Sequence, residues 1–280
     1  MSKKETKKKV AVLTPTRDGL VDSSYVSSLV ETVKLLSDKY NISPSIITGV
    51  SDIALGRTKL WSAWYKNNDV DYCLWLDSDI GVNPKDYARL FEYMTEHDLD
   101  AIAVSYPKKA YDPRALLRSA HILQQNEGQI DVGVSVEASY TYVSTGLHKL
   151  IDDGELKGLM TCDGVGFGCV LISRKGADKL MLWAEKNMDK TEIEHVFKEN
   201  ETIKGYHVFD SVMNKENEVL SEDYSFFERW KMAGNSLYIL PDVKVRHSGF
   251  SYYDGNFQSF VKVMGYMDSK SEPLNKDYRK

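Results

Sequence analysis

The chain has 280 residues and only three cysteines, Cys73, Cys162 and Cys169, no two of which form a CxxC pair. That scarcity excludes a disulfide framework and a cysteine-built zinc site, and makes a reducing, cytosol-like compartment the expectation. Long apolar runs are also missing. No window reaches the length of a membrane span, and no apolar stretch follows the Lys-rich residues 1–9 as it would in a signal peptide. A soluble, cytoplasmic protein with no integral membrane segment is therefore expected. Excess positive charge is lacking too: the net charge of -5 argues against nucleic acid as a partner, which favours a basic face. With 42% apolar and 28% charged residues, the composition is that of a folded chain, long enough for one large α/β domain.

What is present is alternation. Val10–Leu13 is a short apolar run ending at Thr14-Pro15 and reads as a buried strand. Val26–Leu36 has helical spacing behind the capping candidates Asp22 and Ser23. Strand signals recur at 45–49, 72–76 and 101–104, and helix signals at 53–65 and at 84–94, where Asn83-Pro84 opens the helix. This order predicts βαβ units and an α/β fold with a mostly parallel central sheet flanked by helices. From Lys108 to about Gly158 periodicity weakens, which predicts an irregular insertion with short strands near 140–143. Strands are expected again at 166–172, 206–209 and 237–240, and helices at 175–186 and 222–232.

Asp77 and Asp79 follow directly on the apolar run Cys73–Leu76. Ligands of open α/β sheets bind outside the carboxyl ends of the strands, so this Asp-Ser-Asp segment stands at the mouth of a site. Two close carboxylates repel, and a cation between or beside them relieves the repulsion; oxygen ligands suit Mg²⁺ or Mn²⁺. The competing explanation is that the pair merely caps the helix that begins near Pro84.

The segment Leu74-Trp75-Leu76-Asp77-Ser78-Asp79 resembles the DxD motif of GT-A-fold, nucleotide-sugar-dependent glycosyltransferases, and further segments fall in the order of that family. Thr14-Pro15-Thr16-Arg17-Asp18 resembles its nucleoside-binding loop, and Arg57 its nucleotide-contacting basic residue. Gly164-Val165-Gly166-Phe167-Gly168 resembles the Gly-rich turn beneath donor sugar and acceptor. Ser221-Glu222-Asp223-Tyr224 resembles the xED motif, and His247-Ser248-Gly249 the late histidine of the metal site. In size and general character the chain is also similar to glycosyltransferases of large DNA viruses of algae that transfer xylose onto capsid glycans.

The resemblance implies a metal-dependent, inverting glycosyltransferase with a GT-A sheet, a UDP-sugar donor (UDP-xylose among the candidates), a glycan acceptor, Mn²⁺ or Mg²⁺, and the host cytoplasm if viral. It implies Asp223 as general base, and a metal held by Asp79 and His247, with Asp77 either a ligand or acting indirectly. It places Thr14, Thr16, Arg17, Arg57, Asp77, Ser78 and Asp79 at the donor, and Asp163, Gly164, Gly166, Phe167 and Glu222 at sugar and acceptor. It further implies one domain over residues 10–254, with a nucleotide-binding half to about 107 and an acceptor-binding half beyond, between a mobile 1–9 and a tail 255–280. Each residue also has an ordinary reading. Glu222 and Asp223 suit the start of a helix, Arg17 and Arg57 a surface, His247 a loop, and the glycines a tight turn. A retaining transferase, a sugar nucleotidyltransferase and a non-catalytic sugar-binding module are the other functions the sequence accommodates.

Overall fold

The alternation of the first hundred residues becomes a parallel sheet in the computed structural model, which describes residues 6–250 and 252–264. β1 (Lys8–Pro15) and β2 (Tyr40–Ile47) run parallel and are joined by α1 (Ser23–Leu36). Asp22 caps α1 by accepting the Ser24 N–H at 2.7 Å. α2 (Ile53–Lys66) turns Trp61 and Trp64 into the core, and β3 (Tyr72–Leu76) pairs with β1 on its other side. Cys73–Leu76 are buried on both faces, as their unbroken apolarity predicts. β4 (Ile80–Val82), α3 (Pro84–Glu96) and β5 (Ala101–Ala103) follow. The cap of α3 is Asn83, whose side chain accepts the Lys85 N–H at 2.9 Å, so Asp77 and Asp79 are not needed for that purpose.

The stretch expected to be irregular contains two helices, and the short strand expected near 140–143 is present. After β6 (Pro107–Tyr111) come α4 (Pro113–Glu127) and α5 (Val132–Ala138), then β7 (Tyr140–Tyr142) and β8 (Ser144–Thr145). The periodicity is weak because the buried stripe of α4 is thin: Leu117 is 73% exposed while Leu123 is buried. Its start carries the same signal as α3, an Asx residue before proline, with the Asp112 carboxylate accepting the Arg114 N–H. β9 (Met160–Thr161), β10 (Gly164–Val165), β11 (Cys169–Ser173) and α6 (Arg174–Asn187) come next, so the strand expected from Gly166 begins only at Cys169.

β12 (Thr191–Glu194) and β13 (Thr202–Gly205) form a hairpin that the sequence reading did not contain. The strand expected at Tyr206–Phe209 is absent: Val208 and Phe209 are fully buried in an irregular segment. That run is apolar because it packs into the core, not because it pairs. α7 (Glu222–Met232) has the expected bounds, and β14 (Leu237–Ile239), β15 (Lys244–Ser248), β16 (Tyr252–Asn256) and α8 (Phe257–Val263) complete the chain.

The central sheet has seven strands in the order β2-β1-β3-β11-β5-β14-β9, with β11 and β9 antiparallel to the other five. A second sheet, β16-β15-β4, abuts it where β3 runs through Asp77–Asp79 into β4. The acidic segment thus lies at the seam between the two sheets. Two expected boundaries shift. β1 already includes Lys8 and Lys9, whereas residues 1–5 of the anticipated mobile end lie outside the described residues. The anticipated tail contributes α8, whose buried Phe257 lies 5.0 Å ring to ring from Tyr142; residues 265–280 lie outside the described residues. Cys73, Cys162 and Cys169 are buried free thiols. No helix among the described residues is long and apolar enough to cross a membrane.

Candidate active site

Four carboxylates gather where β3 ends and α7 begins, and the structure sorts them into two groups. Arg57 of α2 organises the first. Its side chain is 3% exposed and reaches Asp77 with both terminal nitrogens, Nη1–Oδ1 at 3.3 Å and Nη2–Oδ2 at 3.5 Å. Its Nε lies 3.3 Å from Asp223 Oδ1 and 3.8 Å from Glu222 Oε1. The guanidinium rests against the rings of Trp75 and Phe167, 5.7 and 5.2 Å from their centroids. Burial alone would weaken its charge, but Asp77, Asp223 and Glu222 more than reverse this and hold it firmly protonated. Arg57 is therefore an internal ion-pair node. Its donors face these protein carboxylates, of which Asp77 and Glu222 are partly exposed.

Asp223 is fixed from two sides. Its Oδ2 accepts the Phe167 N–H at 3.2 Å, while Oδ1 faces Arg57 Nε without the alignment of a hydrogen bond. Burial raises its carboxyl to about 7; Arg57 opposes that rise and Glu222 and Asp77 add to it. Capping of α7 does not account for the residue, since its carboxylate bonds to the Phe167 amide across the site. At the first turn of α7 both Glu222 and Asp223 approach Arg57.

Asp79 heads the second group. Its Oδ2 is hydrogen-bonded by the Lys109 ammonium and lies 3.6 Å from His247 Nε2. Burial would raise its carboxyl, but hydrogen bonds from His247 and Lys109 leave it below the usual aspartate range. β15 pairs with β4 so that His247 stands opposite Ile80, next to Asp79. The His247 Nδ1 contacts the Pro107 carbonyl at 2.7 Å. A carbonyl only accepts, so Nδ1 carries a proton, and Nε2 is the nitrogen that faces the Asp79 carboxylate. With its proton Nε2 donates to Asp79; without it, Nε2 and Asp79 could both give electron pairs to a cation.

Asp77 is paired away with Arg57, and no group of three or more His, Cys, Asp and Glu suited to a metal exists among the described residues. Asp79 and His247 are then the two residues that could hold a cation without Asp77. A set that small fits Mg²⁺ or Mn²⁺ completed by phosphate oxygens and water better than an all-protein cage.

The remaining candidates divide. Thr14 is fully buried, its hydroxyl bonded to the Leu76 carbonyl at 2.8 Å and to Tyr25 Oη at 2.9 Å, so it ties β1 to β3 and is closed to a ligand. Thr16 is buried and accepts the Gly19 N–H, shaping the loop on which Arg17 stands exposed. The Ser78 carbonyl accepts the Asp22 N–H at 2.8 Å. Phe167 is fully buried among Trp75, Phe209, Phe226 and Phe227, and its amide N–H reaches Asp223. Asp163 is exposed and paired with Lys231 at 2.7 Å.

The glycine run is explained by an aromatic that the sequence reading missed. A Cβ on Gly166 or Gly168 would overlap the Tyr106 ring, and one on Gly164 would lie 3.0 Å from Tyr224 Cδ1. Tyr106 also meets the His247 ring edge-on, 5.2 Å between centroids. Gly166→Ala is therefore expected to destabilise the protein by about 1–3 kcal/mol through overpacking, read as a lower urea midpoint. Lys109 and Tyr106 were missed because they flank a stretch without periodicity; only their charge and ring size distinguish them locally.

Cavities of about 510 and 660 Å³ flank the tip of the β12–β13 hairpin, but neither is lined by Asp77, Asp79, Glu222 or Asp223. Buried, closely packed charge marks the candidate site better than cavity size does.

No family model and no curated protein matches the chain. Among solved structures, it is similar to the crystal structure of A197 from STIV, with 15% identity, a TM-score of 0.50, and coverage of 90% of this chain and 91% of that one. The catalytic domain of Drosophila beta1,4galactosyltransferase 7 in complex with xylobiose matches with 14% identity and a TM-score of 0.40, over 88% of this chain and 67% of that one. At these identities the likeness to A197 is one of fold.

Proposed function

We propose that the protein is a metal-dependent glycosyltransferase that moves a sugar from a UDP-linked donor to a glycan hydroxyl with inversion. The observation that carries this reading is the sorting of the carboxylates. One group, Asp79 with His247, faces a cation position; the other presents Asp223 in a fixed, nearly buried pose. An inverting transfer needs both, a cation at the leaving diphosphate and a separate carboxylate at the acceptor hydroxyl.

Asp223 takes the acceptor proton, its carboxylate held by the Phe167 N–H at Oδ2 and by the Arg57 guanidinium beside Oδ1. Its carboxyl near 7 is matched to a base working around neutrality. Mn²⁺ or Mg²⁺ bound at Asp79 and His247 would screen charge developing on the diphosphate. Asp77, Asp79, Glu222 and Asp223 are opposed by Arg57 and Lys109, four carboxylates against two cations. An anionic donor is thus repelled unless a divalent ion accompanies it.

Mn²⁺-dependent hydrolysis of a panel of nucleotide sugars, with UDP-xylose and UDP-glucose tried first, tests the activity, and product NMR tests inversion. Asp79→Ala is expected to lower Mn²⁺-supported UDP binding by about 10-fold or more in calorimetry. Undiminished binding would remove Asp79 from the cation site.

A further inference from the structure

We propose that Lys109 is the resident counter-cation of Asp79: a divalent ion must displace it, and the displaced ammonium then serves the donor's diphosphate. The second half rests on the glycosyltransferase reading; the first does not.

Three observations converge on Lys109. Its ammonium binds Asp79 Oδ2, the same oxygen that His247 Nε2 faces at 3.6 Å, so it already holds the oxygen that a cation shared with His247 would need. Like charges do not share such a position, so entry of a divalent ion requires the ammonium to leave. The means of leaving is built in. The Lys109 side chain is 37% exposed, and its stem lies against Gly249, where an added Cβ would come 3.0 Å from Lys109 Cδ. The absence of a side chain at position 249 leaves the stem its channel.

The rest of the pair stays in place when Lys109 moves. β6 supplies both contacts: the Pro107 backbone carbonyl fixes His247, while the Lys109 side chain covers Asp79. Only the side chain needs to rotate, and its four-carbon stem permits that without moving the strand. A freed ammonium beside a cation-bound diphosphate finds phosphate oxygens as its nearest anionic acceptors.

The test measures binding, not turnover. Mn²⁺ alone is titrated into the full chain and its Lys109→Ala and Lys109→Arg variants, with free Mn²⁺ followed by electron paramagnetic resonance. UDP is then titrated calorimetrically at saturating Mn²⁺. Lys109→Ala is expected to bind Mn²⁺ about two- to five-fold tighter, the worth of a partly exposed ion pair. It should bind UDP about 10-fold weaker, the worth of a lost charge-assisted bond. Lys109→Arg should stay near the parent in both.

Opposite signs on metal and nucleotide are the signature; Mn²⁺ affinity that is unchanged or weaker in Lys109→Ala overturns the proposal. Tighter Mn²⁺ binding with no UDP binding to parent or variant would sustain Lys109 at Asp79 and sink the glycosyltransferase reading. Unchanged Mn²⁺ binding beside intact UDP binding would do the reverse.

Discussion

Asp223→Asn is expected to lower turnover by about 10²- to 10⁴-fold while UDP affinity stays within about two-fold, because the amide keeps the shape of the carboxylate and loses only the base. Steady-state rates beside UDP calorimetry check this; equal loss of both would mean that the residue holds the fold. The pH profile should show the same group. Activity of the parent should fall as pH drops through about 7, where Asp223 takes up its proton. Stability should run the other way. The carboxyl is raised above its unfolded value, so its contribution is fully present below the ordinary aspartate range and lost as pH rises through about 7. Asp223→Asn, which cannot ionise, should therefore have a higher urea midpoint than the parent at pH 8 and lose that advantage near pH 4.

Arg57→Met should be the most damaging substitution for stability. It leaves Asp77, Glu222 and Asp223 facing one another without their shared cation, and breaking a buried pair in this way costs about 3–5 kcal/mol. The urea midpoint at pH 8 should fall accordingly and recover in part at pH 5, where protonation relieves the repulsion. In the fraction that folds, the acidic limb of the rate profile should move to higher pH, because Arg57 holds the Asp223 carboxyl down. Arg57→Lys keeps the charge but not the planar fork that spans Asp77, and should retain only part of the stability. Were Arg57 a nucleotide contact instead, Arg57→Met would weaken UDP binding and leave the urea midpoint alone.

What the sequence made legible follows from how local each signal is. The unbroken apolarity of Cys73–Leu76 marked a buried strand, and Asp22 and Asn83 marked helix starts, because capping and strand burial are settled within a few residues. Asp79 stood out by following directly on a buried strand, and Asp223 through the resemblance of Ser221-Glu222-Asp223-Tyr224 to the xED motif. The burial of Arg57 was not legible, since a helical arginine looks the same in sequence whether it faces water or three carboxylates from other segments. The burial of the Phe167 ring was not legible for the same reason: its neighbours Phe209, Phe226 and Phe227 come from elsewhere in the chain. The two helices of the stretch after β6 were obscured because α4 buries little, although Asp112-Pro113 announced its start.

The Arg57 node has a bearing on how the molecule comes into being. The guanidinium belongs to α2, Asp77 follows β3, and Glu222 and Asp223 open α7 near the end of the described chain. While the amino-terminal half emerges alone, Arg57 has Asp77 as its sole acidic partner in that trio, so desolvating it is unfavourable. Docking of α7 supplies the missing anions, so the buried guanidinium is neutralised only after a segment far downstream of it has folded back. A chain that stops short of α7 leaves Arg57 either buried with too few partners or turned out into water.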